Sequence, residues 1–125
     1  MIVGTGIDIV EVPRIARAIE RYGERFLGRI FTAAEIRYCQ TKANAAERFA
    51  VRFAAKEAGL KAIGTGWSRG VAWKDFEVRR EPSGRPTLAL SGRAAEFAQG
   101  LGATRANVSL SHTAELAIAQ VILES

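Results

Sequence analysis

Glu57 and Lys61 stand one helical turn apart in Arg52-Phe-Ala-Ala-Lys-Glu-Ala-Gly-Leu-Lys61, a carboxylate and an amine set into an otherwise apolar stretch. A helix advances about 100° per residue, so the two side chains share one face. Such a pair suits a site that holds a divalent metal through Glu57 and a phosphate through Lys61, provided a second carboxylate arrives from elsewhere in the fold. Asp8, in Gly4-Thr-Gly-Ile-Asp8, is the candidate. Two carboxylates, completed by substrate phosphate oxygens and water, form the usual incomplete protein shell around Mg2+. The same residues also admit a plainer reading, because Glu57 to Lys61 is the favourable i,i+4 ion-pair orientation. The alanine-rich surroundings of Glu57 weigh against it, since an unpaired carboxylate there is costly to desolvate.

His112 is the only histidine and follows Val108-Ser-Leu-Ser111 at an expected strand end, where an imidazole can meet a phosphate or shuttle a proton. Gly64-Thr65-Gly66, just past Lys61, can offer backbone amides to a phosphate, although it lacks P-loop spacing and serves equally well as a helix stop. No nucleophile elbow, zinc-ligand spacing or dinucleotide fingerprint competes with the metal-and-phosphate reading.

The elements that must position these groups follow from periodicity. Residues 2–10 alternate as a strand, with Val3, Thr5, Ile7 and Ile9 on one side and Gly4, Gly6 and Asp8 on the other. Glycines beside Asp8 suggest that a backbone or a ligand comes close to that face. Pro13 suits the first turn of a helix running to about Tyr22, with Ile15, Ala18, Ile19 and Tyr22 as its apolar side. Thr32-Ala-Ala-Glu35 and Asn44-Ala-Ala-Glu47 have capping-box spacing, and the second should open a long central helix through Ala62. Trp73 to Arg80 and Arg85 to Leu90 read as a hairpin, and Ser91 as the cap of a helix to about Gly100. Asn107 to Ser111 and Ala114 to Leu123 read as a closing strand pair. The expected class is α+β, an antiparallel sheet packed against a long central helix and shorter helices.

A chain of 125 residues, 48% hydrophobic and 25% charged, is expected to form a single domain over 1–125. No eighteen-residue apolar run and no export signal are visible, and the lone Cys39 suits a reducing compartment, so the expectation is a soluble cytoplasmic protein. The net charge of +5 favours anionic partners. Arg14, Arg17, Arg21 and Arg25 recur at helical spacing, as a solvated face or as a docking face. A small basic nucleic-acid-binding domain is the reading from a different class, but no RRM, KH or helix-turn-helix pattern supports it.

Gly6-Ile-Asp-Ile9, Arg52-Phe-Ala-Ala-Lys-Glu-Ala58 with Lys61, Gly64-Thr-Gly66 and Val108-Ser-Leu-Ser-His112 together resemble the holo-acyl-carrier-protein synthase family, the small bacterial 4′-phosphopantetheinyl transferases. The resemblance runs in order over nearly the whole chain. It implies transfer of the phosphopantetheine arm of coenzyme A to a serine of apo-acyl carrier protein in fatty acid biosynthesis, with release of adenosine 3′,5′-bisphosphate. A relative serving the carrier domain of a dedicated synthase is the alternative. By the same resemblance Asp8 and Glu57 hold Mg2+, Lys61 and His112 contact the phosphates, and Glu57 or a metal-bound water takes the serine proton. Ile9, Phe53, Gly64, Thr65, Gly66, Ser83, Gly84 and Pro86 line the coenzyme A pocket. Arg14, Arg17, Arg21 and Arg25, with Phe26 as an apolar anchor, face the acidic carrier. The family is trimeric with sites between neighbouring subunits, and neither nucleic acid nor a membrane is an expected partner.

Overall fold

The computed structural model describes residues 1–125. The alternating N-terminal segment forms β1 (Ile2–Glu11), and α1 (Val12–Tyr22) follows at once with Pro13 in its first turn. Two short helices, α2 (Glu24–Ile30) and α3 (Ala33–Gln40), lead into α4 (Ala45–Ile63). A 3-10 turn, Trp73–Asp75, precedes the hairpin of β2 (Phe76–Arg80) and β3 (Pro86–Leu90). The chain ends with α5 (Gly92–Gly100), β4 (Arg105–His112) and β5 (Leu116–Glu124). An antiparallel sheet ordered β1-β5-β4 packs on α4, and β2-β3 forms a separate two-stranded sheet. This is the expected α+β class.

The bare face of β1 has a direct cause. A Cβ on Gly4 would lie 2.3 Å from the Ala62 carbonyl oxygen, and one on Gly6 would lie 1.9 Å from that of Ala58. Only glycine lets the strand backbone come this close to α4, and Ala58 and Ala62 supply the matching small side of the helix. The opposite face carries Ile7, Ile9, Leu116 and Ile118, all exposed. Register joins the strands through Ile9 opposite Ile118 and Asp8 opposite Ala119.

Several local expectations are corrected. The arginine series does not lie on one helix: Gly23, at φ 54°, breaks the chain after Tyr22, so Arg25 and Phe26 belong to α2. Tyr22 is exposed, whereas Ile15 is buried as expected and Val12 is buried with it. The Thr32–Glu35 capping box forms in full, but the one predicted at Asn44 does not. Asn44 Oδ1 accepts from Arg48 Nε at 3.2 Å, and the Glu47 carboxylate goes to His112. Ser91 makes no side-chain cap; Asp75 Oδ2 accepts from the Ala94 amide at 3.3 Å in its place. Trp73 lies in the 3-10 turn rather than in a strand, and the closing strands meet at Thr113–Glu115, which leaves His112 as the last residue of β4.

Candidate active site

Asp8, Glu57 and Lys61 meet where β1 passes beneath the C-terminal half of α4. The close approach at Gly4 and Gly6 brings Asp8, two residues further along the same face, up to the exposed edge of the helix. Lys61 Nζ donates to Asp8 Oδ1 at 3.1 Å and to the Ile7 carbonyl at 2.9 Å. The plain i,i+4 pair with Glu57 is therefore not formed. Proximity of the strand outcompetes it, offering a carboxylate and a carbonyl to one ammonium.

Glu57 is half-buried, and its pKa is raised, first by that burial and then by the nearby negative charge of Asp8. The Trp67 indole N–H, Lys61 and Arg14 pull the other way. Trp67 Nε1 lies against Glu57 without closing a hydrogen bond of ordinary geometry, and it is buried with no other partner. Two carboxylates thus lie close enough for the charge of Asp8 to raise the pKa of Glu57, and an ammonium already sits as a cation on Asp8 and a backbone carbonyl. This donor set fits a divalent cation. No third acidic, histidine or cysteine side chain joins them, so a cation held there would take its remaining ligands from phosphate oxygens and water.

His112 stands apart from that centre. Its Nδ1 is 2.9 Å from Glu47 Oε1, at the opposite end of α4. His112 pairs with Ala117 and that residue with Val10, so on the sheet His112 and Asp8 are separated by about 12 Å between Cα atoms. Gly64 closes α4 in the left-handed region at φ 76°, and Thr65 and Gly66 continue as a surface loop. Ser83 and Gly84 lie in the turn between β2 and β3, with Pro86 opening β3. Ile9 projects from the open sheet face, 59% exposed. Phe53 is buried and stacks on Trp73 at 5.0 Å.

Arg14, Arg17, Arg21 and Arg25 are all exposed, which fits a solvated face and a docking face alike. Arg14 is near enough to Glu57 to lower its pKa, which places the start of the basic face beside the acidic pair. Arg17, Arg21 and Tyr22 line one shallow concavity, and Tyr22, Arg25, Phe26 and Arg29 line the next. Tyr22 and Arg29 escaped the sequence reading, as did Trp67 and Glu47. For Tyr22 and Arg29 the missing signal was the break at Gly23; for Glu47 the capping-box spacing pointed elsewhere.

The model of the 4′-phosphopantetheinyl transferase superfamily matches residues 4–119. A holo-acyl-carrier-protein synthase of Koribacter versatilis (strain Ellin345) is 70% identical over 124 residues, covering 99% of each chain. The crystal structure of the Neisseria meningitidis synthase superposes with a TM-score of 0.89 at 32% identity, covering 100% of both chains. That of the Bacillus anthracis str. Ames synthase in complex with CoA (3′,5′-ADP) gives 0.82 at 39% identity, over 100% of this chain and 98% of that one.

Proposed function

The chain belongs to the holo-acyl-carrier-protein synthase family of the 4′-phosphopantetheinyl transferase superfamily, and on that premise we propose how its residues divide the work. The reaction moves the 4′-phosphopantetheine group from coenzyme A to a serine hydroxyl of apo-acyl carrier protein. The serine oxygen attacks the β-phosphorus, the bond to the bridging oxygen on the adenosine side breaks, and adenosine 3′,5′-bisphosphate leaves. The meeting of Asp8, Glu57 and Lys61 at the crossing of β1 and α4 carries this reading.

Asp8 and Glu57 would hold Mg2+, which when bound would supply Lewis-acid neutralisation of the diphosphate. Lys61 then exchanges Asp8 for phosphate oxygens and acts there as a mobile point charge. Glu57, with its raised pKa, suits acceptance of the serine proton, directly or through a water. His112 takes the phosphate at the nucleotide end, and Gly64, Thr65, Gly66, Ser83, Gly84 and Pro86 enclose the nucleotide. The separation of His112 from Asp8 and the open apolar face of Ile7, Ile9 and Ile118 favour a homotrimer whose neighbouring subunits complete each pocket. Light scattering reporting a monomer removes this assembly. A cytoplasmic location is in keeping with the single, buried Cys39. No helix is long and apolar enough to cross a membrane.

Intact mass spectrometry tests the reaction and its metal dependence together. Incubation with coenzyme A, Mg2+ and apo-acyl carrier protein should add one phosphopantetheine arm, and a chelator should prevent it. An unmodified fatty-acid carrier beside a modified synthase carrier domain moves the assignment to dedicated carriers.

The basic face of α1 and α2 steers the acidic carrier so that its serine arrives beside Arg14 and Glu57. Arg17→Glu combined with Arg21→Glu is expected to raise the KM for the carrier roughly tenfold or more, with a steeper salt dependence, and to leave the KM for coenzyme A in place. Equal loss toward both substrates in steady-state kinetics overturns that division.

A further inference from the structure

We propose that Glu47 is the positioning residue for His112, holding the imidazole by Nδ1 so that Nε2 is presented to a phosphate group of the nucleotide. This deepens the reading of His112 given above and rests on it.

The contact is 2.9 Å between Glu47 Oε1 and His112 Nδ1, and it joins two residues 65 positions apart. Both side chains are about three-quarters buried, 23% and 24% exposed, so the pair is held between the first turn of α4 and the end of β4. Glu47 reaches His112 at the expense of its own helix. Asn44-Ala-Ala-Glu47 has the residues and spacing of a capping box, yet Asn44 makes no cap and the carboxylate is committed across the fold. Thr32-Ala-Ala-Glu35, with the same spacing, makes its box completely. The backbone behind the imidazole is also fixed: Thr113 donates its amide to the Leu116 carbonyl at 2.8 Å, and its hydroxyl oxygen accepts from the Leu116 amide at 3.1 Å.

An ionised carboxylate only accepts, so the imidazole nitrogen facing it must carry the hydrogen. That assigns Nδ1–H and leaves Nε2 free, the nitrogen that makes no hydrogen bond within the chain. A phosphate oxygen at Nε2 needs a donor there. Donation from Nε2 while Glu47 holds Nδ1–H is the arrangement of an imidazolium lying between two anions, Glu47 and the phosphate. Without Glu47 the ring loses the acceptor that fixes Nδ1–H and is free to turn, so the direction of Nε2 is no longer set.

A single histidine makes the test direct. Nitrogen-15 NMR of the free protein at alkaline pH should show His112 as the Nδ1–H tautomer, and Glu47→Ala should convert it to Nε2–H. Calorimetry with adenosine 3′,5′-bisphosphate should show affinity falling roughly tenfold in Glu47→Ala and largely restored in Glu47→Gln, whose amide oxygen still accepts from Nδ1–H. In turnover the loss should enter the KM for coenzyme A more than kcat. An unchanged tautomer in Glu47→Ala, or wild-type affinity in that variant, overturns the proposal. His112→Ala separates the two layers of the argument. If it binds the nucleotide as tightly as the wild type, the contact of His112 with phosphate is wrong, whatever Glu47 does to the tautomer.

Discussion

Replacing Asp8 or Glu57 with alanine should each lower kcat/KM by at least about a thousandfold while the circular dichroism spectrum persists. The two carboxylates are close enough to interact, and either substitution would leave the proposed cation a single carboxylate while it offsets the charge of a diphosphate. The two variants should differ in stability. Asp8→Ala strips Lys61 of its side-chain partner, but that ammonium is 54% exposed and returns to water at little cost. Glu57 is held with its pKa raised by burial and by Asp8, so in the apo-protein its ionised form burdens the fold once the pH rises above the usual carboxylate range. Glu57→Gln should therefore match or exceed the wild-type Tm near neutral pH while losing activity. That is the trade expected where a site holds charge that only its ligands neutralise. Undiminished chelator-sensitive transfer by Asp8→Ala would falsify the two-carboxylate centre.

The second large effect lies one residue before Glu57 and on the other side of α4. Lys56 and Glu35 are fully buried, with Nζ and Oε1 2.8 Å apart. Lys56 also donates to the carbonyls of Phe76 and Trp73, and Glu35 accepts from the amides of Thr32 and Val78, both at 2.9 Å. One ion pair thereby ties the start of α3, the middle of α4, the 3-10 turn and β2. Burial drives the pKa of Lys56 down, with the positive charge of Arg52 adding to it, and the facing Glu35 carboxylate opposes that shift. Lys56→Met leaves a carboxylate buried without its counter-ion, and urea unfolding should report a loss of about 3–5 kcal/mol. Adding Glu35→Gln should recover much of it, since the amide oxygen still accepts from a backbone amide and no buried charge remains. A loss below about 1 kcal/mol in the single variant would show that Glu35 reaches water or a proton more readily than its full burial allows.

Local order was legible wherever one period or one short motif settles it. The two-residue alternation put Gly4, Gly6 and Asp8 on one face of β1, and the glycines announced a close approach that proved to be the backbone of α4. Thr32 and Glu35 cap each other because the partners are only three residues apart. The spacing of Glu57 and Lys61 placed both on the exposed edge of α4. Composition had no way to show which distant group each would meet.

Partner choice was decided by the tertiary fold. Lys61 left its neighbour for Asp8 because the strand came within reach, and Glu47 left its capping box for His112 because β4 ends beside the first turn of α4. Glu35 completes its box and still binds Lys56 and Val78, a combination that no local pattern contains. The arginines kept helical spacing on paper while Gly23 turned the chain between Arg21 and Arg25. Read alone, the sequence determined most of the strands and helices and the shared face of Glu57 and Lys61, because these depend on periods of a few residues. Which carboxylate holds which cation is settled only when segments far apart in the chain are packed, since a charged side chain takes whichever partner the packing brings nearest and desolvates most.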